Sequence, residues 1–554
     1  MAKEAAVDAR LLIDAAVLLV YFFGIVALGL WAGRRNKNLR DFSLGSRSIP
    51  WWAVLASIVA AETSAATFLG TPAEGYKTRA YFYGQLVIGT ILARVIIAFT
   101  FIKPYYEYRV QSIYEFLTVR FGTMTKNMAS GIFLFTRVLG IGVRLYLGGA
   151  IMVVIWRYLF PTLPVTLNTY IWGIIFVTVI TTIYTAVGGI KAVVWTDLIQ
   201  AILMLSSVMF AIFLLVRSIP GGLETVQENL GGLDQVKLFQ TGWNSALPFG
   251  PALKGMLEEP YTLFAAFIAS TLLTMATHGT DQDMVQRMLT APNYRKSQLS
   301  LILSGLMDLP IAGAFLTVGI LLSVYYGVVP GKTPPAADNE IFGYYIVHEM
   351  PVVFRGLIIA GVFATMMGST SAALNALATS FTKDFYLPYF NRNATDGQAI
   401  RAARIATVVF GVLMIIVAAM AANAVLQDAK LTIIPIAIGI LGYTYGALLA
   451  VFLLGMLTRS RGRDGVNVIA MIVGITSVLI LCKVALPAFD LGALLRGEFK
   501  HAEWNFGWFM PEWWPKISWP WFVFVGCVVT FTISVLFPTP QSRITGAEAH
   551  VRNL

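Results

Sequence analysis

The sequence predicts an all-α polytopic membrane protein, and three observations carry that prediction. Of its 554 residues, 57% are hydrophobic and only 12% charged, about half the charged fraction usual in soluble domains. Thirteen apolar stretches are each long enough to cross the ~30 Å hydrocarbon core of a bilayer. Two of them, five stretches apart, are interrupted by polar residues that a lipid-facing helix does not tolerate.

The stretches, spans 1 to 13 in chain order, fall at about 11–33, 50–70, 81–102, 128–156, 168–187, 194–216, 260–280, 298–326, 352–380, 402–423, 431–457, 464–486 and 519–537. Span 1 follows only residues 1–10, is too long for a signal-peptide core and shows no clear cleavage site, so it reads as an uncleaved span. An odd number of spans places the termini on opposite sides. Lys and Arg gather in the loops after odd-numbered spans and in the C-terminal tail, which predicts an N-terminus outside and a C-terminus in the cytoplasm of a cell-membrane protein. The longest loops, about 217–260 and 485–520, then lie outside. Their Gly, Pro and Trp content suits compact caps with interfacial helices and leaves no room for a soluble catalytic module.

Composition also excludes functions. The net charge of +11 is scattered through short connections, which fits membrane orientation and not nucleic-acid binding. The two cysteines, Cys482 and Cys527, sit in late apolar stretches and offer neither a disulfide framework nor a Cys-based zinc site. His348-Glu349 begins like a zinc-protease motif, but the second His is absent, and no GxxxxGK nucleotide loop occurs. No organic cofactor is expected, and the sequence does not speak to oligomeric state.

The first interruption lies within 57–76, where Glu62, Thr63, Ser64 and Thr67 place a carboxylate and three hydroxyls at bilayer depth. A charge at the middle of a spanning helix costs at least about 2.5–3.5 kcal/mol on insertion scales. The segment reads either as a broken helix whose freed carbonyls line a cation and solute site, or as a polar patch satisfied by a neighbouring helix. The second interruption, within 271–283, puts Thr274, Thr277, His278, Gly279, Thr280 and Asp281 where an apolar helix should continue. Broken segments at matching positions of two five-span halves point to an inverted-repeat transporter with its site at the repeat interface. Because five is odd, the second half enters the membrane from the other side. This divides the chain into a peripheral span and inner loop at 1–49, one repeat at 50–217 (spans 2–6), an outer loop and second repeat at 218–457 (spans 7–11), and peripheral spans 12 and 13 with an inner tail at 458–554.

The most specific local pattern is Gly188-Gly189-Ile190-Lys191-Ala192-Val193-Val194-Trp195-Thr196-Asp197-Leu198-Ile199-Gln200. A glycine pair turns the chain between spans 5 and 6, Lys191 holds the turn on the inner face, and Asp197 then enters the membrane. Here the chain resembles the sodium:solute symporter family, whose signature is a Gly-Gly turn followed by Ala-Val-Val-Trp-Thr-Asp and a Gln. Segment 279–289, with its Asp281-Gln282 and Val285-Gln286-Arg287, resembles the family's pattern after the second broken helix, and segments 68–76 and 375–384 match as well.

The resemblance implies a leucine-transporter-like 5+5 inverted repeat and sodium as the co-transported ion. Carried over residue by residue, it implies sodium ligation by the backbone carbonyls of Ala60, Thr63 and Thr365 and by hydroxyls at 368 and 369, with Glu62 and Asp197 supporting the site. Position 369 is Ser, but position 368 is Gly, so one expected hydroxyl is missing. Thr370, Ser371 or a water could replace it, since a hard cation takes oxygen ligands.

For the solute, the resemblance points to Ala66 and Thr67, where sugar-carrying members have a Glu-Gln pair. Their identity here disfavours a sugar bound in that manner, and segment 70–76 looks closer to the branch that carries monocarboxylates, iodide and vitamins. Arg137 and Arg144, seven residues apart on span 4, share a helical face, and Arg144 reaches the midplane at 1.5 Å per residue. Its planar fork fits a carboxylate. It reads equally as the structural partner of Glu62, Asp197 or Asp308. Thr277 and His278 in the second broken segment are placed to touch solute. The expected function is sodium-coupled import of a small organic solute, a monocarboxylate or another carboxylated compound. A sodium/sugar or sodium/amino-acid symporter, a proton-coupled transporter and a channel are the alternatives.

Overall fold

The computed structural model describes residues 2–552 apart from 35, 160–163, 165, 336–337, 428–432 and 489–501. Among the described residues, nine helices are long and apolar enough to cross a membrane, or ten when a bent pair is taken as one span. The helix Leu167–Ser218 runs 52 residues and holds both span 5 and span 6. It breaks at Gly189, whose φ of 58° and ψ of −155° suit glycine alone. A side chain there would meet the Phe42 carbonyl at 2.6 Å, so the turn is closed by backbone packing as well as by torsion. Span 7 forms as a π-helical segment, Ala265–Ser270, continued by the helix Thr271–Gly279. Span 13 is a shorter apolar helix, Phe522–Val535, entered through a 3-10 turn at Trp519–Trp521.

Span 9 is the centre of the bundle. Of its most apolar window 94% is buried, against 22% for span 1 and 28% for span 12, so lipid wets the latter two while span 9 is surrounded by protein. Its small residues, Ala360, Gly361, Ala364, Gly368, Ala372 and Ala373, let neighbouring helices approach closely. Phe23, Trp172 and Phe213 point outward from the bundle, as side chains solvated by lipid tails do.

The first of the two long loops contains the short helices Leu223–Asn229 and Phe249–Glu258, the helical content expected of it. The second differs from expectation. Its described part includes an antiparallel pair, Ala485–Ala488 with Ala502–Asn505, in which Leu486 faces Trp504. Backbone that leaves a helix at the membrane surface must satisfy its own polar groups, and here a two-stranded ribbon does so in place of a helix. Residues 489–501 of that loop and the expected start of span 11 at 431 lie outside the described residues.

Candidate functional site

Span 2 is built as two helices, Trp51–Glu62 and Ala65–Thr78, bent by 62°. The first ends because Thr63 takes an extended conformation, φ −77° and ψ 94°, while its N–H still donates to the Val59 carbonyl at 3.2 Å. The chain restarts at Ser64, whose hydroxyl accepts from the Thr67 N–H at 3.4 Å. Carbonyls that follow Val59 therefore belong to a helix end, where the next turn's donors are missing. Ala66 lies outside the residues whose side chains are described.

Span 7 breaks in the same way. The helix Thr271–Gly279 stops at Thr280, and Asp281 caps the next helix, Gln282–Met288, by accepting from the Asp283 N–H at 2.8 Å. The fold brings the two breaks together. His278 Nε2 lies 2.6 Å from Glu62 Oε1, and His278 Nδ1 shares a hydrogen bond with the Thr277 hydroxyl at 2.9 Å.

The acids at this depth are held by arginines that the sequence reading did not single out. Arg94 on span 3 is fully buried, pairs with Glu62, and reaches Asp308 at 2.8 Å. Arg287, counted from sequence among inner-loop basic residues, is also fully buried. It pairs with Asp283, approaches Asp197 Oδ2 at 3.4 Å, and donates to the Ser57 hydroxyl at 2.9 Å. Ser57 in turn donates to Asp197 Oδ2 at 2.5 Å. Arg137 bridges Asp281 at 2.7 Å and Asp283 at 3.0 Å, and the Tyr445 hydroxyl donates to Asp281. The expectation of an ion pair between Arg144 and Glu62, Asp197 or Asp308 is thus corrected, because Glu62 and Asp308 pair with Arg94 and Asp197 with Arg287. Arg144 is half-buried and, among the described residues, makes no hydrogen bond or ion pair.

On span 9, Thr365 donates its hydroxyl hydrogen to the Val362 carbonyl at 2.8 Å, and Ser369 donates to the Thr365 carbonyl at 3.2 Å. Both hydroxyl oxygens keep lone pairs for another partner. Gly368 comes against span 2: a Cβ added there would lie 3.4 Å from the Ala60 carbonyl oxygen. The structure therefore places Ala60, Asp197 and Gly368 side by side, and Glu62, Thr277 and His278 together at the meeting of the breaks. Thr63 and Thr67 flank the break in span 2. Sequence reasoning missed Arg94, Arg287 and Ser57, although a lone Arg inside an apolar span was a visible signal for the first.

Two interrupted helices that meet within the bundle, beside a third helix whose Gly368 packs against the helix-end carbonyl of Ala60, define a secondary transporter of the inverted-repeat class. The model of the sodium:solute symporter family matches residues 42–474, and the chain belongs to that family. It is 28% identical to a sodium/sialic acid symporter of Proteus mirabilis over 84% of this chain and 89% of that one. It is 27% identical to the human sodium-coupled monocarboxylate transporter 1 over 81% of this chain and 68% of the relative. A solved Na+-coupled sialic acid symporter superposes with a TM-score of 0.74 at 22% identity, covering 96% of this chain and 99% of that one. The fold is accordingly leucine-transporter-like, and the protein is a sodium-coupled symporter rather than an enzyme.

Proposed function

We propose that this symporter imports a small carboxylated organic solute together with sodium, from the side of its N-terminus to that of its C-terminus. The observation that carries the solute class is Arg144. A guanidinium at bilayer depth needs an anionic partner, and among the described residues it makes no ion pair, while Glu62, Asp308 and Asp197 are each held by another arginine. Asp281 and Asp283 act on Arg144 from nearby but are held by Arg137, and a solute carboxylate supplies the direct contact, which a planar fork receives bidentately. The relatives named for sialic acid and for monocarboxylates support the same chemistry, and an acidic sugar satisfies it as well as a simple monocarboxylate does.

In this reading Thr67, Thr277 and His278 contact the solute, together with the backbone at Ala66. Ala60, Thr63, Thr365 and Ser369 supply oxygens to the ion beside Gly368, while Glu62 and Asp197 set the local field. The test is a thermal-shift screen of the purified protein against carboxylates, neutral sugars and amino acids, each in sodium and in potassium, since a ligand that binds only the folded state raises its stability. Stabilisation by carboxylates that needs sodium is the expected result. Stabilisation by neutral sugars alone would remove the carboxylate from the reading.

A further inference from the structure

The connection between spans 1 and 2 and the connection after span 3 bring three arginines together at one end of the bundle. Arg47 lies over the ring of Tyr106, its guanidinium carbon 4.8 Å from the centroid, and Arg40 and Arg109 are close enough to oppose its charge. Arg40 and Arg109 are exposed, whereas Arg47 is half-buried and its Nε is enclosed without a hydrogen-bond partner.

Among the described residues no carboxylate answers these charges. Asp41 accepts from the Ser46 hydroxyl and from the Lys37 N–H at 3.1 Å, and Glu107 pairs with Lys103 at 3.5 Å. Burial lowers the proton affinity of the Arg47 guanidinium, and Arg40 and Arg109 lower it further against the opposing effect of Tyr106. The backbone adds to the cost. Ser46 (φ 60°), Arg47 (φ 53°) and Arg109 (φ 48°) take left-handed conformations that glycine or asparagine adopts more readily. Arg109 follows the helix Lys103–Glu107, where a cation meets the negative pole of the helix dipole. Arg47 has no such excuse. It stands shortly before Pro50, the N-cap of Trp51–Glu62, whose first turn has no side-chain cap, and there the dipole favours an anion. Charges that served only to orient the chain in the bilayer would gain nothing from converging under strain.

We propose that Arg40, Arg47 and Arg109 form a binding site for the phosphate of an anionic phospholipid headgroup. Guanidinium forks match phosphate oxygens, and the place is that of a headgroup: the helix of span 2 starts at Trp51 and that of span 3 ends at Glu107, so the cluster lies at the depth of the bilayer surface. The site also bears on the carrier. Tyr106, beneath Arg47, donates to the Ala291 carbonyl at 2.8 Å, and the Ile49 N–H donates to the Thr290 carbonyl at 3.2 Å. A headgroup held here fastens the start of span 2 and the end of span 3 where both touch the segment after the second break.

The test is the thermal stability of the purified full-length chain in detergent, titrated with phosphatidylglycerol, with phosphatidylcholine, and with inorganic phosphate. Phosphatidylglycerol should stabilise the wild-type protein and phosphatidylcholine should not. Arg47→Gln and Arg109→Gln should each raise the phosphatidylglycerol concentration needed for half the effect about fivefold, the scale of one basic residue at an anionic surface. Arg543→Gln, which removes an exposed charge from the tail helix Gln541–Arg552, should leave it unchanged. Size-exclusion profiles without added lipid separate misfolding from lost binding, and the exposed Arg40→Gln and Arg109→Gln decide the matter if Arg47→Gln does not fold. Equal stabilisation by the two lipids, or an equal loss in Arg543→Gln, overturns the site. Inorganic phosphate that alone reproduces the stabilisation, and loses it in Arg109→Gln, supports the phosphate site and overturns the lipid as its source.

Discussion

His278 Nε2 and Glu62 Oε1 stand 2.6 Å apart, and this contact joins the break in span 2 to the break in span 7. Glu62 is not left to the histidine alone, since Arg94 pairs with it and with Asp308. Arg94→Ala should therefore strand two carboxylates and destabilise the protein by about 3–5 kcal/mol, whereas Glu62→Gln, which leaves Arg94 with Asp308, should be far milder. Thermal melts of both variants, and of Arg94→Ala combined with Glu62→Gln and Asp308→Asn, check this. Absence of rescue in the combined variant would contradict the pairing.

Sodium should drive accumulation of the solute. One charge moving through 100 mV releases about 2.3 kcal/mol, and a tenfold sodium gradient adds about 1.4 kcal/mol. Cotransport of one ion with a monoanionic carboxylate moves no net charge, so only the gradient acts and one ion per cycle supports about tenfold accumulation; the potential contributes when a second ion is carried. Uptake into proteoliposomes should collapse when sodium is replaced by potassium, and equal uptake in the two salts would count against sodium coupling.

Asp197→Asn and Ser369→Ala should each raise the sodium requirement of transport more than they reduce the amount of folded protein. Asp197 Oδ2 is tied to Ser57 and Arg287, so the Asn variant keeps an oxygen in the network while losing the charge that attracts the ion. Loss of folded protein with an unchanged sodium curve would mark Asp197 as structural.

Because Arg144 makes no ion pair among the described residues, Arg144→Ala should strand no buried carboxylate and leave folded yield near wild type. Solute-dependent stabilisation should disappear while sodium-dependent stabilisation survives. Arg144→Lys should weaken solute binding despite equal charge, since a point charge on a flexible stem replaces the bidentate fork. Retained solute affinity in the Ala variant would refute the carboxylate contact.

The spans were legible because long apolar runs state their environment locally, and the breaks were legible because Glu62, Thr63 and His278 are conspicuous among such runs. The pairing of charges was not. Arg94 meets Asp308 and Arg287 meets Asp197 across large separations in sequence, and no local pattern ranks one arginine over another. Arg144 reads from sequence as a partner of those acids, while Arg94, which holds two of them, was not singled out. Arg287 was read as an inner-loop cation because it follows the apolar run, yet the helix Gln282–Met288 folds back into the protein and buries it. The ribbon at Ala485–Ala488 was hidden for another reason: four-residue strands, one of them carrying Pro487, leave too few alternations for a periodicity to register.

Arg137 holds Asp281 and Asp283 with one guanidinium, which makes the attachment of this segment to span 4 indivisible. Asp283 also pairs with Arg287, and Asp281 accepts from the Tyr445 hydroxyl, so the segment after the second break cannot shift against span 4 without exchanging several polar contacts together. Span 4 and this segment should therefore travel as one body in any rearrangement of the carrier.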